Sequence, residues 1–360
     1  MMDVRPTRFL IGTIFSLLFL APIQGIALDT PTIQSHEEIT AAKRPRPTLK
    51  IQTRIGEGPW SSRRAAYPVE GDVVSLRTKK IEGGTPRWYM IFADLTKNYA
   101  NANHPWDDDP YKWTGVETIH YHRIELSDQG GNWEIRPFEG SAKRWEHIFN
   151  WYRASGRDEQ TFRFYKPDVG TFWFQVEVEK GEKMLRSHGI EDSNDRGISR
   201  RVTRISIRGD SVFLGHVTSF YNVPGVFGSI LYQSKNYIGA DCADVLMTAW
   251  SRWRKRPLKK NYNVQAMVGH FTRRAKFEMT GGVPKEPLEW GVDFQPGDFI
   301  AVSYSADGKK YHHVGALWED ANGNGTLDGD DIVIHAGPDP LHLSYLKYGA
   351  FDGRVVILKP

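Results

Sequence analysis

Residues 237–253, YIGADCADVLMTAWSRW, carry the only cysteine of the 360-residue chain, and their periodicity changes at Asp241. Gly239, Ala240 and Asp241 read as a turn. Beyond them Val245, Leu246, Ala249 and Trp250 recur at helical spacing and share one face. The spacing predicts a helix that opens at Cys242, capped by Asp241 or a neighbour. A sulfur there sits near the positive end of the helix macrodipole, which favours thiolate, the nucleophilic form. Taken alone, such a cysteine reads equally well as core, because free Cys is among the most often buried residues.

Three apolar stretches downstream read as strands: FQPGDFIAVSY at 294–304, KKYHHVGALWED at 309–320 and DDIVIHAGP at 330–338. The first is entered through a turn at Pro296 to Asp298. On an antiparallel pair His313 and His335 lie opposite each other, one placed to act as base and the other to orient it. A cysteine at a helix start, followed by two strand histidines, is the nucleophile, base and orienter set that acyl transfer requires. His312 faces the other side of its strand.

In order, DCAD, PGDFI, HHVGAL and VIHAG resemble the core of the NlpC-type papain-like cysteine peptidases of bacterial cell walls, over about residues 229–360. The resemblance implies an α+β papain-like domain over 219–360. In it Cys242 is the nucleophile, His313 the general base and His335 the polar residue that orients it. The family's upstream oxyanion-stabilising tyrosine matches Tyr232, with Tyr237 as the other candidate. The implied reaction is hydrolysis of an amide bond in peptidoglycan stem peptides or another peptide substrate. Ala243-Asp244 departs from the usual Ser-Gly, and the Gly-Gly commonly found upstream is absent. These departures keep open a second reading, a catalytically inactive, calcium-stiffened surface binding or adhesion protein.

Between the two histidines stands DANGNGTLDGDD, residues 320–331. Against a twelve-position EF-hand-type loop, Asp320, Asn322 and Asn324 fall at positions 1, 3 and 5, Thr326 at 7, Asp328 at 9 and Asp331 at 12. Gly325 takes the turn position and Leu327 the apolar one. Hard oxygens at alternating positions are what Ca2+ coordination demands. The expected role is structural: a clip at the tip of the hairpin that bears both histidines.

Upstream, GDVVSLRT (71–78), RWYMIFADL (87–95), GTFWFQVEVE (170–179), RRVTRISIRG (200–209) and DSVFLGHV (210–217) are β-branched or aromatic runs bounded by turn residues. They predict an all-β sandwich over 61–215, preceded by an extended lead-in at 28–60. GDVVSLRT, Trp88 and DVGTFWF resemble the B, C and F strands of an immunoglobulin-like domain, with Thr78 and Phe174 at the two cysteine positions. An insertion at about 93–165 contains a helix around 142–154 and Trp106, Trp113, Trp133, Trp145 and Trp151. Those tryptophans line a ligand face or fill the core, and core is the commoner fate. His120 and His122 share one strand face, without a third local ligand for zinc.

Arg5 and Arg8 precede an apolar run from Phe9 to Ala21, then small residues Gly25 and Ala27, the pattern of a signal peptide spanning 1–27. The run is shorter than the roughly 20 residues of a spanning helix, so the chain is expected to be exported, to the periplasm or beyond, and not membrane-spanning. Export makes a lone thiol worth explaining, since an oxidising compartment exposes it to mispairing. Net charge is +4, from 47 basic and 43 acidic residues, too even a balance for a nucleic-acid binder. The basic stretch SRWRKRPLKK, 251–260, could attract anionic wall polymers and otherwise reads as a solvated helix end.

Overall fold

A computed structural model describes residues 31–41, 44–100, 118–305 and 307–360; the segment expected to be a signal peptide, Trp106 and Trp113 lie outside them. In chain order the first half holds β1 (Ile33–Ser35), α1 (His36–Thr40), β2 (Ile51–Ile55), β3 (Ala65–Ala66), β4 (Val74–Thr78), β5 (Thr85–Ala93), β6 (Tyr99–Ala100), β7 (Tyr121–Glu125), β8 (Glu134–Ile135), α2 (Ser141–Ala154), β9 (Gly170–Lys180), β10 (Lys183–Arg186) and β11 (Thr203–Ile207). The second half holds α3 (Phe213–Thr218), β12 (Val226–Phe227), α4 (Leu231–Lys235), α5 (Cys242–Trp253) and α6 (Val264–His270). Then come β13 (Thr272–Thr280), β14 (Val283–Pro284), β15 (Phe299–Ser303), β16 (His313–Glu319), β17 (Ile332–His335), β18 (His342–Tyr345) and β19 (Gly353–Lys359).

The chain is β-rich. In the first half, β1-β7-β5-β9-β11-β3 form one sheet, with β10 also on β9, and β2-β4-β8 form a second. Strand β4 is buried on both faces: Val74, Ser75, Leu76 and Thr78 are all buried, with only Arg77 half-buried. Strands β5 and β9 are buried along most of their length, Gln175 and Glu177 included, because both faces of the larger sheet are covered. Trp88 on β5 is fully buried opposite Val176 of β9, and its indole N–H donates to the Asn132 carbonyl at 2.8 Å. Helix α2 lays Trp145, Ile148 and Tyr152 into the same core, spaced i, i+3, i+7. The described tryptophans of the insertion, Trp133, Trp145 and Trp151, pack on that core too. His120 pairs with Glu37 at 3.2 Å, whereas the His122 ring is buried against Trp151 and Phe92, so the two do not converge.

Two stretches differ from expectation. The lead-in is not merely extended: β1 pairs with β7 and β2 with β4. DSVFLGHV, expected as a strand, forms α3 instead. The Asp210 carboxylate accepts the Val212 N–H at 2.8 Å, which turns the chain. Phe213 and Val217, four apart, then enter the second-half core. An apolar run this short satisfies either period, and tertiary packing decided.

The second half is built on an antiparallel sheet ordered β14-β13-β19-β15-β16-β17-β18. Its residues alternate between two cores. Phe299, Ala301, Val314, Ala316 and Ile334 face α3, α5 and α6. Ile300, Val302, Leu317 and Val333 face the other side, with Phe294, Leu327 and Phe351.

Candidate active site

Cys242 is the first residue of α5, as the periodicity requires. Asp241 caps the helix by accepting the Asp244 N–H at 2.9 Å. Ser229 ties the turn from behind: its hydroxyl accepts the Asp241 N–H at 2.9 Å and donates to the buried Asp244 carboxyl. Asp244, the residue that breaks the Ser-Gly pattern, therefore anchors the turn that opens α5 to the segment before α4. Burial pushes the Asp241 carboxyl up to about 7 and holds Asp244 well above its ordinary range, and two such carboxyls three residues apart resist ionising together.

The acid–base state of the thiol departs from expectation. Burial raises it, the Asp241 and Asp244 carboxylates raise it further, and the amides of Val314 and Ala243 oppose this without overturning it. Cys242 is half-buried, and the desolvation it does suffer outweighs the helix dipole, which acts only over the first turn, so the shift favours thiol over thiolate. The Val314 amide belongs to β16, which puts the sulfur against the backbone of the strand that carries His313.

The histidines meet, but diagonally and not as the directly opposed pair expected, since the partner of His335 in register is Gly315. His313 Nε2 lies 3.0 Å from His335 Nδ1, and His335 Nε2 lies 2.8 Å from Ser344 Oγ on β18, a chain of three polar groups. The His313 and His335 rings cross at 80°, with the Phe351 ring 5.0 Å from His313 and the His342 ring 4.4 Å from His335. Gly315 sits directly opposite His335, where an added Cβ would fall 3.1 Å from the His335 Cβ and 2.6 Å from Val333 Cγ2. Only glycine leaves that imidazole its place. Burial, and then the charge of His342, lowers His313 to about 4; burial holds His335 well below its usual range. Both rings are neutral at pH 7, which leaves His313 Nδ1 as the ring nitrogen not engaged with His335. Among the described residues no hydrogen bond joins Cys242 to His313. His312 is elsewhere, its ring stacked on Tyr304.

The 320–331 loop is docked rather than free. Thr326 bridges Glu289, the Leu327 N–H donates to the Leu288 carbonyl at 2.8 Å, and Leu327 is buried. Asp320 accepts the N–H groups of Asn324 and Gly325, and the Asn322 and Asn324 amides converge on Asp328 Oδ2 at 3.0 and 2.6 Å. Asp331 is fully buried. Its Oδ2 accepts the Trp290 indole N–H and the Asp328 N–H, both at 2.9 Å, while its Oδ1 has no partner. Burial, reinforced by Asp328 and Asp320, raises this carboxyl. Among the described residues no three His, Cys, Asp or Glu side chains group as a metal site; the loop's oxygens are shared among Asp, Asn and Thr instead.

No family profile, curated protein or solved structure matches the chain.

The tyrosines proposed for the oxyanion are not brought to the sulfur by any contact among the described residues. Tyr232 packs on the first-half core with the Arg200 guanidinium over its ring, and Tyr237 is buried against Phe220 with its hydroxyl 2.9 Å from Ser219 Oγ. Sequence reasoning missed Ser344, which shares a strand face with His342, itself in register with His335; that alternation was the available signal. Ser229 has no local signal, since only the fold carries it to Asp244. Among the described residues no helix is long and apolar enough to cross a membrane.

Proposed function

We propose that the protein is an exported cysteine hydrolase, an immunoglobulin-like sandwich followed by a papain-like α+β domain, that cleaves an amide bond in peptidoglycan stem peptides. The observation that carries this reading is the Ser344–His335–His313 chain, its two histidines buried, on strands beside the helix that opens at Cys242. For the sandwich, support comes from β5 pairing with β9 around the buried Trp88 while β4 lies in the other sheet.

Because thiol and imidazole are both neutral at rest, proton transfer accompanies attack. The Cys242 S–H proton passes to His313 Nδ1 as the sulfur bonds to the carbonyl carbon. The amide C–N bond then breaks as His313 returns the proton to the leaving nitrogen, giving a thioester. Water attacks the thioester with His313 as base, releasing the carboxylic acid and restoring the thiol. His335, held by Ser344, fixes the His313 ring throughout. Asp320, Asn322, Asn324, Thr326, Asp328 and Asp331 would hold a calcium ion that stiffens the β16–β17 hairpin, and the partnerless Asp331 oxygen supports that assignment.

The raised thiol and the missing Cys242–His313 hydrogen bond favour the second reading, an inactive binding or adhesion protein. Incubation with muropeptides, read by mass spectrometry, separates them. Cleavage by wild type and none by Cys242→Ala is expected. Cleavage retained by Cys242→Ala refutes the nucleophile, and intact muropeptides with co-sedimentation on insoluble peptidoglycan support the binding protein.

A further inference from the structure

Away from the cysteine, where β3 and β11 approach α4 and the last turn of α5, lies a cavity of about 370 Å3. Its lining includes Arg63, Arg64, Arg200, Arg204, Lys235 and Arg252 and contains no Asp or Glu. A second cavity of about 210 Å3 shares Tyr67 and Arg252 with it and adds Arg208 and His216. Arg63, Arg64, Arg200 and Lys235 form an exposed rim, and Arg204 and Arg252 form the floor.

The floor is constructed. Arg204, only 6% exposed, donates from Nη2 to the Tyr67 hydroxyl at 2.7 Å and from Nη1 to the Asn236 carbonyl. Arg252 donates from Nη2 to the Lys235 carbonyl at 3.0 Å. Both guanidiniums lie against the same two rings: Arg252 is 4.3 Å from the Tyr67 centroid and 4.9 Å from that of Tyr237, and Arg204 is 4.8 Å from that of Tyr237. The Nε of each is buried without a partner. Holding two like charges side by side, Arg204 buried and Arg252 half-buried, is costly unless an opposite charge arrives. The field is felt locally: burial would raise the Tyr67 phenol, yet Arg204 and Arg252 pull it below its usual value, and His216 is lowered to about 4 by burial and then by Arg208 and Arg252.

We propose that this cavity binds a compact ligand bearing more than one phosphate group. Guanidinium forks match phosphate oxygens in pairs. Two forks, one buried and one half-buried, under a rim of four further cations call for more negative charge than one carboxylate brings. The volume lies within the range of small-molecule pockets and exceeds what a single ion needs.

Titration calorimetry of the full chain at constant ionic strength tests this, with glucose 1,6-bisphosphate as probe and glucose and succinate as comparisons. Saturable binding of the bisphosphate, none of glucose and at least ten-fold weaker binding of succinate are expected. Arg252→Gln should weaken bisphosphate binding by roughly ten-fold or more. Because a floor substitution can disturb packing, the rim variant Arg200→Gln/Lys235→Gln is measured beside it; it should weaken binding by about three-fold or more and flatten the salt dependence. Equal binding by wild type and the rim variant, equal affinity for succinate, or no binding at millimolar bisphosphate would overturn the assignment.

Discussion

Acidification should destabilise this protein through His313, by an amount that can be worked out. Burial holds the folded imidazole at about 4, against 6.5 for a free one. Above 6.5 the ring is neutral in folded and unfolded chains alike, and its contribution is fully present. Between the two values the unfolded chain binds a proton that the folded chain does not, so stability falls as pH falls and levels off below 4. The loss is about 2 kcal/mol at pH 5 and reaches about 3 kcal/mol on the acid plateau. His335 is shifted in the same direction and adds to the slope. Urea titrations of wild type and His313→Asn at pH 8, 6.5 and 5, at fixed ionic strength, isolate the term. The variant should start less stable, because His335 Nδ1 loses its partner, but wild type should lose about 2 kcal/mol more than the variant between pH 8 and pH 5. Parallel pH dependences would mean that His313 is not held neutral by burial, and the proton inventory of the proposed reaction would fall with it.

Two other substitutions probe the packing around the pair and the loop. Gly315→Ala should cost about 1–3 kcal/mol in urea and slow any hydrolysis, because the new methyl meets Val333, Phe351 and His335; the modest gain expected of Gly→Ala in an open strand would refute this close packing. Adding EGTA should lower the thermal midpoint of wild type by about 5 °C, whereas Asp331→Ala should show the lower midpoint already and respond little. An unchanged wild-type midpoint would remove calcium from the account.

What could be read without coordinates was local. The start of α5 followed from a cap and a 3.6-residue period, and the strands ending or beginning in His335 and His313 followed from runs of alternating apolar residues. That the two histidines share a face was legible from strand alternation, but their register was not: His335 lies opposite Gly315, two residues from His313, on a pair whose register shifts between Leu317 and Glu319. The thiol's protonation was not, since the dipole at Cys242 is written in neighbouring residues while desolvation comes from the whole fold. Nor was the basic cavity. Tyr67, Arg204 and Arg252 stand far apart in the chain, and Arg252 read as part of a solvated helix end until the fold laid it across Tyr67. Helix α3 shows the opposite limit, a run too short for its period to speak.

The alternation of β16 between two cores gives that strand something like a reading frame. His312 and His313 are adjacent and chemically identical, yet only His313 shares a side with His335, while His312 is spent on Tyr304. Deleting Val314 or Gly315 would leave both histidines in the chain and still misplace everything beyond them: Ala316 would take the position of Gly315 and collide with His335, and residues of each core would exchange sides. The second histidine is therefore no spare for the first. In this strand the parity of a residue decides its role before its chemistry does.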